Sequence, residues 1–269
     1  MKKILLASDY DGTFINSDGK VSVEQIEKVK SFVDKGNIFT IITGRMTESI
    51  LPLVKKLNLK GLVASYNGGE ITEIETEKRL YTNYIDSPTA VEIFKILETE
   101  KAYFHGYYGE NYFCKKHTKH TDWYENVTFV KATVLNKNLS EYFEENNLPT
   151  KKIMVLDEPE VLDRLFPKLL PYSSRLNVIR SNPLQIEITD LSSTKAKALE
   201  YISRTYNINR LDTFAVGDGG NDASMIKLAK TGIAVANAEQ SLKEVADLVL
   251  DYTNDQNAVM ELIKIIENE

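Results

Sequence analysis

Two aspartates separated by one residue follow the first apolar run of the chain, in which Ile4-Leu5-Leu6-Ala7-Ser8 leads to Asp9 and Asp11. The run is short and Gly12 follows directly, so the pattern predicts a buried β-strand that ends at a turn. Residues i and i+2 of a strand share a face, which brings the two carboxylates together. Because close carboxylates repel each other, the pair suggests a bound cation or a division of roles between acid and nucleophile. A solvated turn is the alternative, since Asp and Gly are common turn residues.

Three further polar clusters could act with this pair. Thr43-Gly44-Arg45 follows a second apolar run, Asp218, Asn221 and Asp222 follow a third, and Lys195 begins a predicted helix. This set suits phosphoryl transfer from a phosphomonoester. One aspartate would attack phosphorus, a second carboxylic acid would transfer the proton, and Lys and Thr groups would neutralise phosphate oxygens. Mg²⁺ prefers such oxygen ligands. Each cluster alone also fits a helix entry, a solvated lysine or a turn, so it is their agreement that favours function.

The elements that must position these clusters alternate between strand and helix. Strands are predicted at residues 4–8, 38–42, 62–65 and 213–216. Ser22 and Gln25 match a capping box at the start of the first helix. Short strands joined through helices predict a parallel sheet, and such sheets bind ligands at the carboxyl ends of their strands. We therefore predict an α/β fold with a Rossmann-like parallel-sheet core.

The middle of the chain has a different pattern and predicts an inserted α+β domain with a largely antiparallel sheet. The predicted core comprises residues 1–82 and 190–269, and the predicted insert comprises residues 83–189. Within the insert, helices are predicted at 89–99 and 158–170, and strands at 103–107, 128–134, 152–156, 176–180 and 185–188. The aromatic residues around Tyr103 to Tyr108 could line a substrate pocket, but sheet packing is the favoured interpretation because aromatics are common in strands.

Composition limits the partners of the chain. It has 42% hydrophobic and 27% charged residues, which is typical of a globular protein, and a net charge of −6. That balance lacks the basic character of nucleic-acid-binding proteins, and no apolar stretch approaches the length of a membrane span. The single cysteine, Cys114, and the lack of a signal peptide favour a reducing compartment. We therefore expect a cytoplasmic protein without nucleic-acid or membrane partners.

A basic patch lies in a loop-like stretch of the insert. Its residues are Lys115, Lys116, His117, Lys119 and His120. The patch could attract an anionic substrate, although a solvated face is the favoured interpretation because charge runs are usually solvated. His117 and His120 lie three residues apart, but the sequence offers no third ligand nearby, so a zinc site is not expected.

Taken together, the four clusters resemble the signatures of the haloacid dehalogenase superfamily. The matching residues are Asp9 to Thr13, Thr43 with Gly44-Arg45, Lys195, and Gly217 to Asp222. The resemblance implies that Asp9 is the nucleophile and Asp11 the general acid/base. It also implies that Mg²⁺ is held by Asp9, the Asp11 backbone carbonyl and Asp218, with Asp222 supporting.

The placement of the insert after the second cluster resembles the Cof-type branch of this superfamily, which carries a class IIB α/β cap. The resemblance implies that Thr43, Gly44, Arg45, Asn67, Lys195 and Asn221 bind the phosphate or substrate. It further implies an Mg²⁺-dependent phosphatase of small phosphorylated metabolites, sugar phosphates above all, acting through an aspartyl-phosphate. A phosphomutase on hexose phosphates and a non-catalytic metabolite sensor are the alternatives. We expect a monomer or weak homodimer.

Overall fold

The computed structural model describes residues 3–268, except for the side chain of Asn182. The described strands are β1 (Leu5–Ser8), β2 (Ile38–Ile41), β3 (Leu62–Ser65), β4 (Glu70–Glu73), β5 (Arg79–Thr82), β6 (Phe104–Tyr108), β7 (Asn111–Cys114), β8 (Thr133–Val134), β9 (Lys152–Leu156), β10 (Leu176–Asn182), β11 (Gln185–Asp190), β12 (Thr213–Gly217), β13 (Thr231–Ala234) and β14 (Leu248–Val249). The described helices are α1 (Val23–Asp34), α2 (Thr47–Lys56), α3 (Ser87–Thr99), α4 (Lys119–Thr128), α5 (Leu139–Glu145), α6 (Pro159–Leu169), α7 (Lys195–Thr205), α8 (Ala223–Leu228), α9 (Gln240–Lys243) and α10 (Ala258–Asn268).

The chain divides into two compact units. The first comprises Met1–Gly44, Leu51–Leu80 and Thr194–Glu269, and the second comprises Arg45–Ile50 and Tyr81–Ser193. The terminal residues 1, 2 and 269 of the predicted core lie outside the described residues. The predicted domain boundaries at 82/83 and 189/190 stay a prediction.

A five-stranded parallel sheet in the order β14-β13-β12-β1-β2 forms the centre of the first unit. Strand β1 lies between β12 and β2, and Leu5 is opposite both Thr213 and Ile38. All four residues of β1 are buried, as expected of an apolar run in a parallel sheet covered on both faces. Helix α1 packs against α10 and β2, and α8 packs against β12, β13 and α7. Because β1 pairs parallel with both β2 and β12, the carboxyl ends of the three strands lie at one edge of the sheet.

Strand β3 departs from the predicted pattern. A single parallel bridge joins Ile42 to Ala64, but β3 otherwise pairs antiparallel with β4 in a separate sheet of order β3-β4-β5. The reversal occurs at Asn67 and Gly68, which both adopt positive φ, at 56° and 92°. These left-handed residues turn the chain back at once, so no crossover helix follows β3.

The second unit contains a six-stranded sheet in the order β10-β11-β9-β6-β7-β8. Its pairs are antiparallel apart from β7 with β8, in agreement with the largely antiparallel sheet predicted for the insert. Helices α3, α5 and α6 contribute to an apolar core on one face, where the ring of Phe94 stacks on Phe104 at 5.4 Å between centroids. On the other face, the hydroxyl of Tyr107 bonds to His105 Nε2 at 2.7 Å and to the Tyr124 hydroxyl of α4 at 2.5 Å.

Several predictions within the insert were wrong. Residues 128–134 are not one strand: α4 extends through Thr128, and only Thr133–Val134 form β8. Helices α4 and α5 and strand β7 were not predicted, and the basic patch is partly helical because α4 begins at Lys119. Most of the aromatic run packs within the sheet, since Phe104, Tyr107 and Tyr112 are buried, whereas Tyr108 is exposed.

Candidate active site

Asp9 lies directly after β1 and is almost fully buried, with 6% of its surface exposed. Its backbone N–H donates to the carbonyl of Val216 at 3.0 Å, so the position of Asp9 is fixed by the parallel pairing of β1 with β12. Two residues later Asp11 is exposed, on a turn closed by the Phe14 N–H donating to the Tyr10 carbonyl. The two acidic side chains therefore have different environments, one buried and one open to solvent.

Lys195 connects Asp9 to the loop after β12. Its Nζ donates to Asp9 Oδ1 at 2.6 Å and to Asp222 Oδ1 at 2.5 Å, and the lysine side chain is fully buried. Lys195 is the first residue of α7, whose N-cap Thr194 accepts a hydrogen bond from the Lys197 N–H. The helix start thus fixes a buried cation between two carboxylates that lie far apart in the sequence.

The loop after β12 is organised by Asp222. Its Oδ2 accepts the backbone N–H groups of Asp218 at 2.9 Å and Gly219 at 3.0 Å. A Cβ at Gly217 would lie 2.4 Å from Asp222 Cγ, so the carboxylate packs directly against the glycine backbone. Both oxygens of Asp222 are therefore engaged, one by Lys195 and the other by the loop backbone.

Asp218 is held from the loop after β1. The Thr13 hydroxyl donates to Asp218 Oδ1 at 2.7 Å. Gly12 has φ +73°, and a Cβ there would lie 2.4 Å from Asp218 Oδ2. A side chain at this position would therefore displace the Asp218 carboxylate, which explains a glycine directly after the acidic pair.

The predicted phosphate-binding residues form a second group in the same unit. The Thr43 carbonyl accepts the Asn67 N–H at 2.8 Å, and the Asn67 side-chain oxygen accepts Asn221 Nδ2 at 3.1 Å. That oxygen is also 3.1 Å from the position of a Cβ on Gly44. Thr43, Gly44, Asn67 and Asn221 are thus brought together by the left-handed conformation of Asn67.

Arg45 belongs to the second unit, where its Nη1 donates to Ser49 Oγ at 3.3 Å and to the Val127 carbonyl at 3.4 Å. These contacts associate Arg45 with the start of α2 and the end of α4. Its predicted part in substrate binding stays a prediction.

Two residues at the site were not proposed from the sequence. Thr13 is the last residue of the signature that begins at Asp9 and had no predicted role, yet its hydroxyl positions Asp218. Asn237 follows β13, and its Nδ2 donates to the Gly12 carbonyl at 2.8 Å while its Oδ1 accepts the Asn254 N–H. The signal for Asn237 was present: it is a polar residue after a strand of the parallel sheet, as are Asp9 and Asp218.

The burial of the acidic side chains and the repulsion between them dominate the electrostatics of the site. Burial raises the pKa of Asp9 well above its usual value, Lys195 lowers it, and Asp222 and Asp218 raise it further. Burial likewise raises the pKa of Asp218 to about 6, although the hydrogen bond from Thr13 lowers it. For Lys195, burial lowers the pKa, but Asp222 and Asp9 together raise it above its usual value. The lysine is therefore charged, and three carboxylates share one cation.

These carboxylates could hold a metal ion. Asp9, Asp218 and Asp222 each offer a carboxylate oxygen, and the three atoms lie within 4.8 Å of one another. An all-oxygen donor set fits Mg²⁺. Three carboxylates and one ammonium leave two negative charges, which a divalent cation would balance.

Comparison with known proteins agrees with this arrangement. Residues 6–263 match the haloacid dehalogenase-like hydrolase family, a match over nearly the whole chain. The chain belongs to this family.

Similar proteins extend the comparison. The Bacillus subtilis protein 5-amino-6-(5-phospho-D-ribitylamino)uracil phosphatase YcsE is 27% identical over 267 residues, which cover 97% of this chain and 94% of that one. A haloacid dehalogenase-like hydrolase from Bacteroides thetaiotaomicron is 27% identical, with a TM-score of 0.88 over 98% of this chain and 100% of that chain. A haloacid dehalogenase subclass IIB sugar phosphatase, BT4131, covers 98% of this chain and 99% of its own at 22% identity and a TM-score of 0.84, which shows a shared fold.

The family resemblance, the fold class and the assignment as a phosphatase are therefore confirmed. This haloacid dehalogenase-like hydrolase is a phosphatase with a parallel-sheet α/β core. Within residues 3–268, no helix combines the length and the apolar character needed to cross a membrane.

Proposed function

We propose that this phosphatase hydrolyses small phosphomonoesters, sugar phosphates and related metabolites, with Mg²⁺ and through a phosphoaspartyl intermediate on Asp9. The observation that carries the proposal is the buried Asp9 carboxylate, held by Lys195 at 2.6 Å beside two further carboxylates. The names of similar proteins support the substrate class, because YcsE acts on a phosphorylated ribityl compound and BT4131 is a sugar phosphatase.

The first half-reaction would transfer the phosphoryl group to the enzyme. A carboxylate oxygen of Asp9 forms a bond to phosphorus as the ester P–O bond breaks, and the exposed Asp11 gives its proton to the departing alcohol oxygen. Lys195 lies against Asp9 and would offset the negative charge of the phosphoryl group that Asp9 receives. Thr43, Gly44, Asn67 and Asn221 would bind phosphate oxygens through their N–H and O–H groups, and Arg45 would bind substrate.

The second half-reaction would release inorganic phosphate. Asp11 takes a proton from water, the water oxygen forms a bond to phosphorus, and the acyl phosphate P–O bond to Asp9 breaks. Asp9 and Asp11 are thereby returned to their initial protonation states. Asp9, the Asp11 carbonyl and Asp218 would hold Mg²⁺, with Asp222 supporting, and the bound ion would neutralise phosphate oxygens during both steps.

The direct test is phosphate release from a panel of hexose, pentose and ribityl phosphates with Mg²⁺. Asp9→Asn should lower kcat/KM by about a thousandfold or more, because an amide is a very poor nucleophile at phosphorus. Asp18→Asn, at an exposed loop position nearby, is the matched control and should behave as the wild type. Full activity of Asp9→Asn would exclude Asp9 as nucleophile. An isomeric hexose phosphate without free phosphate would indicate a mutase, and saturable binding without turnover would indicate a sensor.

Metal binding has a separate test in thermal unfolding. Addition of Mg²⁺ to chelator-treated protein should raise Tm by several degrees, because the ion binds the folded carboxylate cluster. Asp218→Asn should abolish this rise without lowering Tm of the metal-free protein, since it removes one of three repelling charges. Asp251→Asn, at an exposed site, should keep the rise. An equal Mg²⁺ effect on Tm in Asp218→Asn would contradict the assigned site.

A further inference from the structure

Two adjoining cavities lie beside α4 in the second unit, and none of the proposed active-site residues lines either one. The apolar pocket, of about 520 Å³, is lined by Trp123, Leu156, Pro183 and Leu184 together with polar rim residues. The basic pocket, of about 570 Å³, is lined by Lys101, Tyr103, Lys115 and Lys116, among others. His120 and Asp157 line both pockets, so the two share a border, and together they are here named the α4 cleft.

The apolar pocket exposes a large aromatic surface. Trp123 is the only tryptophan of the chain, and 48% of its surface is accessible. Leu184, which also lines the pocket, is 50% accessible, while Leu156 is buried. Small-molecule sites are concave, mostly apolar and of this volume, so the pocket can take an aromatic ring against the indole.

The basic pocket carries positive charge that its own acidic residues do not neutralise. Glu98 accepts both the N–H and the hydroxyl of Ser140, at 3.1 and 2.6 Å. The two oxygens of Asp157 accept the N–H groups of Tyr103 at 3.0 Å and Glu158 at 2.9 Å.

The lysines of this pocket are less engaged than its acids. Lys115 donates to the Asn138 side chain at 2.6 Å. Among residues 3–268, neither Lys101 nor Lys116 has a carboxylate at ion-pair distance. A pair of unmatched ammonium groups is notable in a chain of net charge −6, and it favours an anionic ligand here.

The wall between the two pockets is well fixed. The His120 ring stacks on Tyr103, with 5.1 Å between centroids and 28° between planes, and the Tyr103 hydroxyl bonds to Thr121 Oγ1 at 2.9 Å. The cleft also lies at one particular end of the β9–β11 pair. Leu156, in the cleft, is opposite Gln185, whereas Lys152, at the other end of the pair, is opposite Thr189, shortly before the unit ends at Ser193. Within this unit, the cleft therefore lies at the end of the strand pair away from Thr189.

We propose that the α4 cleft binds an aromatic organic anion, with its ring on Trp123 and Leu184 and its anionic group at Lys101 and Lys116. A nucleotide presents this combination of ring and charge. None of the proposed catalytic residues is among the residues that line the cleft, so the proposal does not depend on the identity of the hydrolysed substrate.

Trp123 provides a direct reporter, because all tryptophan fluorescence of the chain comes from this cleft. The probe is naphthalene-1-sulfonate, an aromatic anion that contains no phosphoryl group and cannot be turned over. The wild-type chain should show a saturable change in tryptophan emission. Lys101→Gln/Lys116→Gln should weaken the apparent Kd about tenfold or more. Lys137→Gln, at a half-buried lysine of the same unit outside the cleft, is the matched control and should bind as the wild type.

Two comparisons separate the contributions of ring and charge. Neutral naphthalene should bind more weakly than the sulfonate, and inorganic sulfate should leave the emission unchanged at matched ionic strength. Unchanged phosphatase activity of the double variant would show that its fold is intact. A wild type without a saturable emission change, or a double variant that binds the sulfonate as tightly as the wild type, would overturn the proposal.

Discussion

Lys195 places a positive charge against two buried carboxylates of this phosphatase. Its ammonium group contacts Asp9 and Asp222 at 2.6 and 2.5 Å, and all three side chains are buried. Burying unpaired carboxylates is strongly unfavourable, so the folded state depends on this cation. The same contact places positive charge beside the proposed nucleophile, so the residue proposed to act in the chemistry also affects stability.

Lys195→Met retains the length of the side chain and removes its charge. We expect it to lower the free energy of unfolding by about 3–5 kcal/mol, because it leaves buried carboxylates uncompensated. Phosphate release should be lost as well. Lys197→Met, exposed on the same helix, should change stability by no more than about 0.5 kcal/mol. Urea unfolding measures both, and equal stability of the two variants would contradict this role of Lys195.

At the scale of elements, the turn after β3 controls where α7 begins. Gly68 has φ +92°, and a Cβ there would lie 2.4 Å from the Thr194 carbonyl oxygen. Thr194 is the N-cap of α7, directly before Lys195. A backbone atom cannot move aside as a flexible side chain can, so the glycine sets the distance between the turn and the helix.

Gly68→Ala should therefore displace the start of α7. Gly36→Ala is a close control, because Gly36 has φ +90° but no atom within 4 Å of a Cβ. Both variants incur the cost of a left-handed alanine, and Gly68→Ala should lose about 1–3 kcal/mol more through the clash. Only Gly68→Ala should lower kcat/KM. Similar stability and activity in the two variants would show that the turn and α7 tolerate separation.

The elements also show what sequence patterns could predict. The predicted strand at 152–156 agrees with β9, because Lys-Ile-Met-Val-Leu is a buried run in the middle of its sheet. The predicted strand at 128–134 was wrong. Thr128 instead bonds to the Tyr124 carbonyl within α4, and Phe129 ends that helix at φ +60°. Tyr124 of this helix contacts His105 and Tyr107, which belong to another element. Local periodicity in the sequence therefore cannot predict these contacts.

Several residues of the candidate site could likewise be predicted from sequence patterns. Asp9, Thr43 and Asp218 could be proposed because each follows a strand, and strand ends are visible in a sequence.

The capping box predicted for Ser22 and Gln25 is only half formed. Gln25 N–H donates to Ser22 Oγ, but the Gln25 side chain donates to the Phe14 carbonyl instead. Long-range contacts of this kind, like that of Thr13 with Asp218, depend on the assembled sheet.

For the whole molecule, two groups of buried side chains give stability opposite dependences on pH. Burial lowers the pKa of His105 well below its usual value, and Lys152 lowers it further. The unfolded chain protonates this histidine below about pH 6.5 while the folded chain does not, so stability falls as the pH falls. Asp9 and Asp218 have raised pKa values, so both make stability fall as the pH rises above about 4, and for Asp218, with a pKa of about 6, the fall extends to about pH 6.

Because the two effects oppose each other over the same pH range, we expect urea unfolding without metal between pH 4 and 7 to show their net result, and each effect emerges when the other is removed. Mg²⁺ should remove the loss of stability on the alkaline side, because the ion favours ionised carboxylates. His105→Phe should reduce the loss on the acid side, since it keeps an aromatic ring and removes the titrating group. Lack of any difference between His105→Phe and the wild type on the acid side would contradict the assignment to His105.

The position of β1 between β2 and β12 has a consequence for synthesis. One edge of β1 can pair once Ile38–Ile41 has been made, whereas its other edge must wait for Thr213–Gly217. At ordinary translation rates this interval is about 10–40 seconds. Tyr81–Ser193 emerges from the ribosome within the same interval. The nascent chain therefore carries an apolar strand with an open edge, which can bind chaperones or aggregate, until the last fifth of the protein is made and covers it.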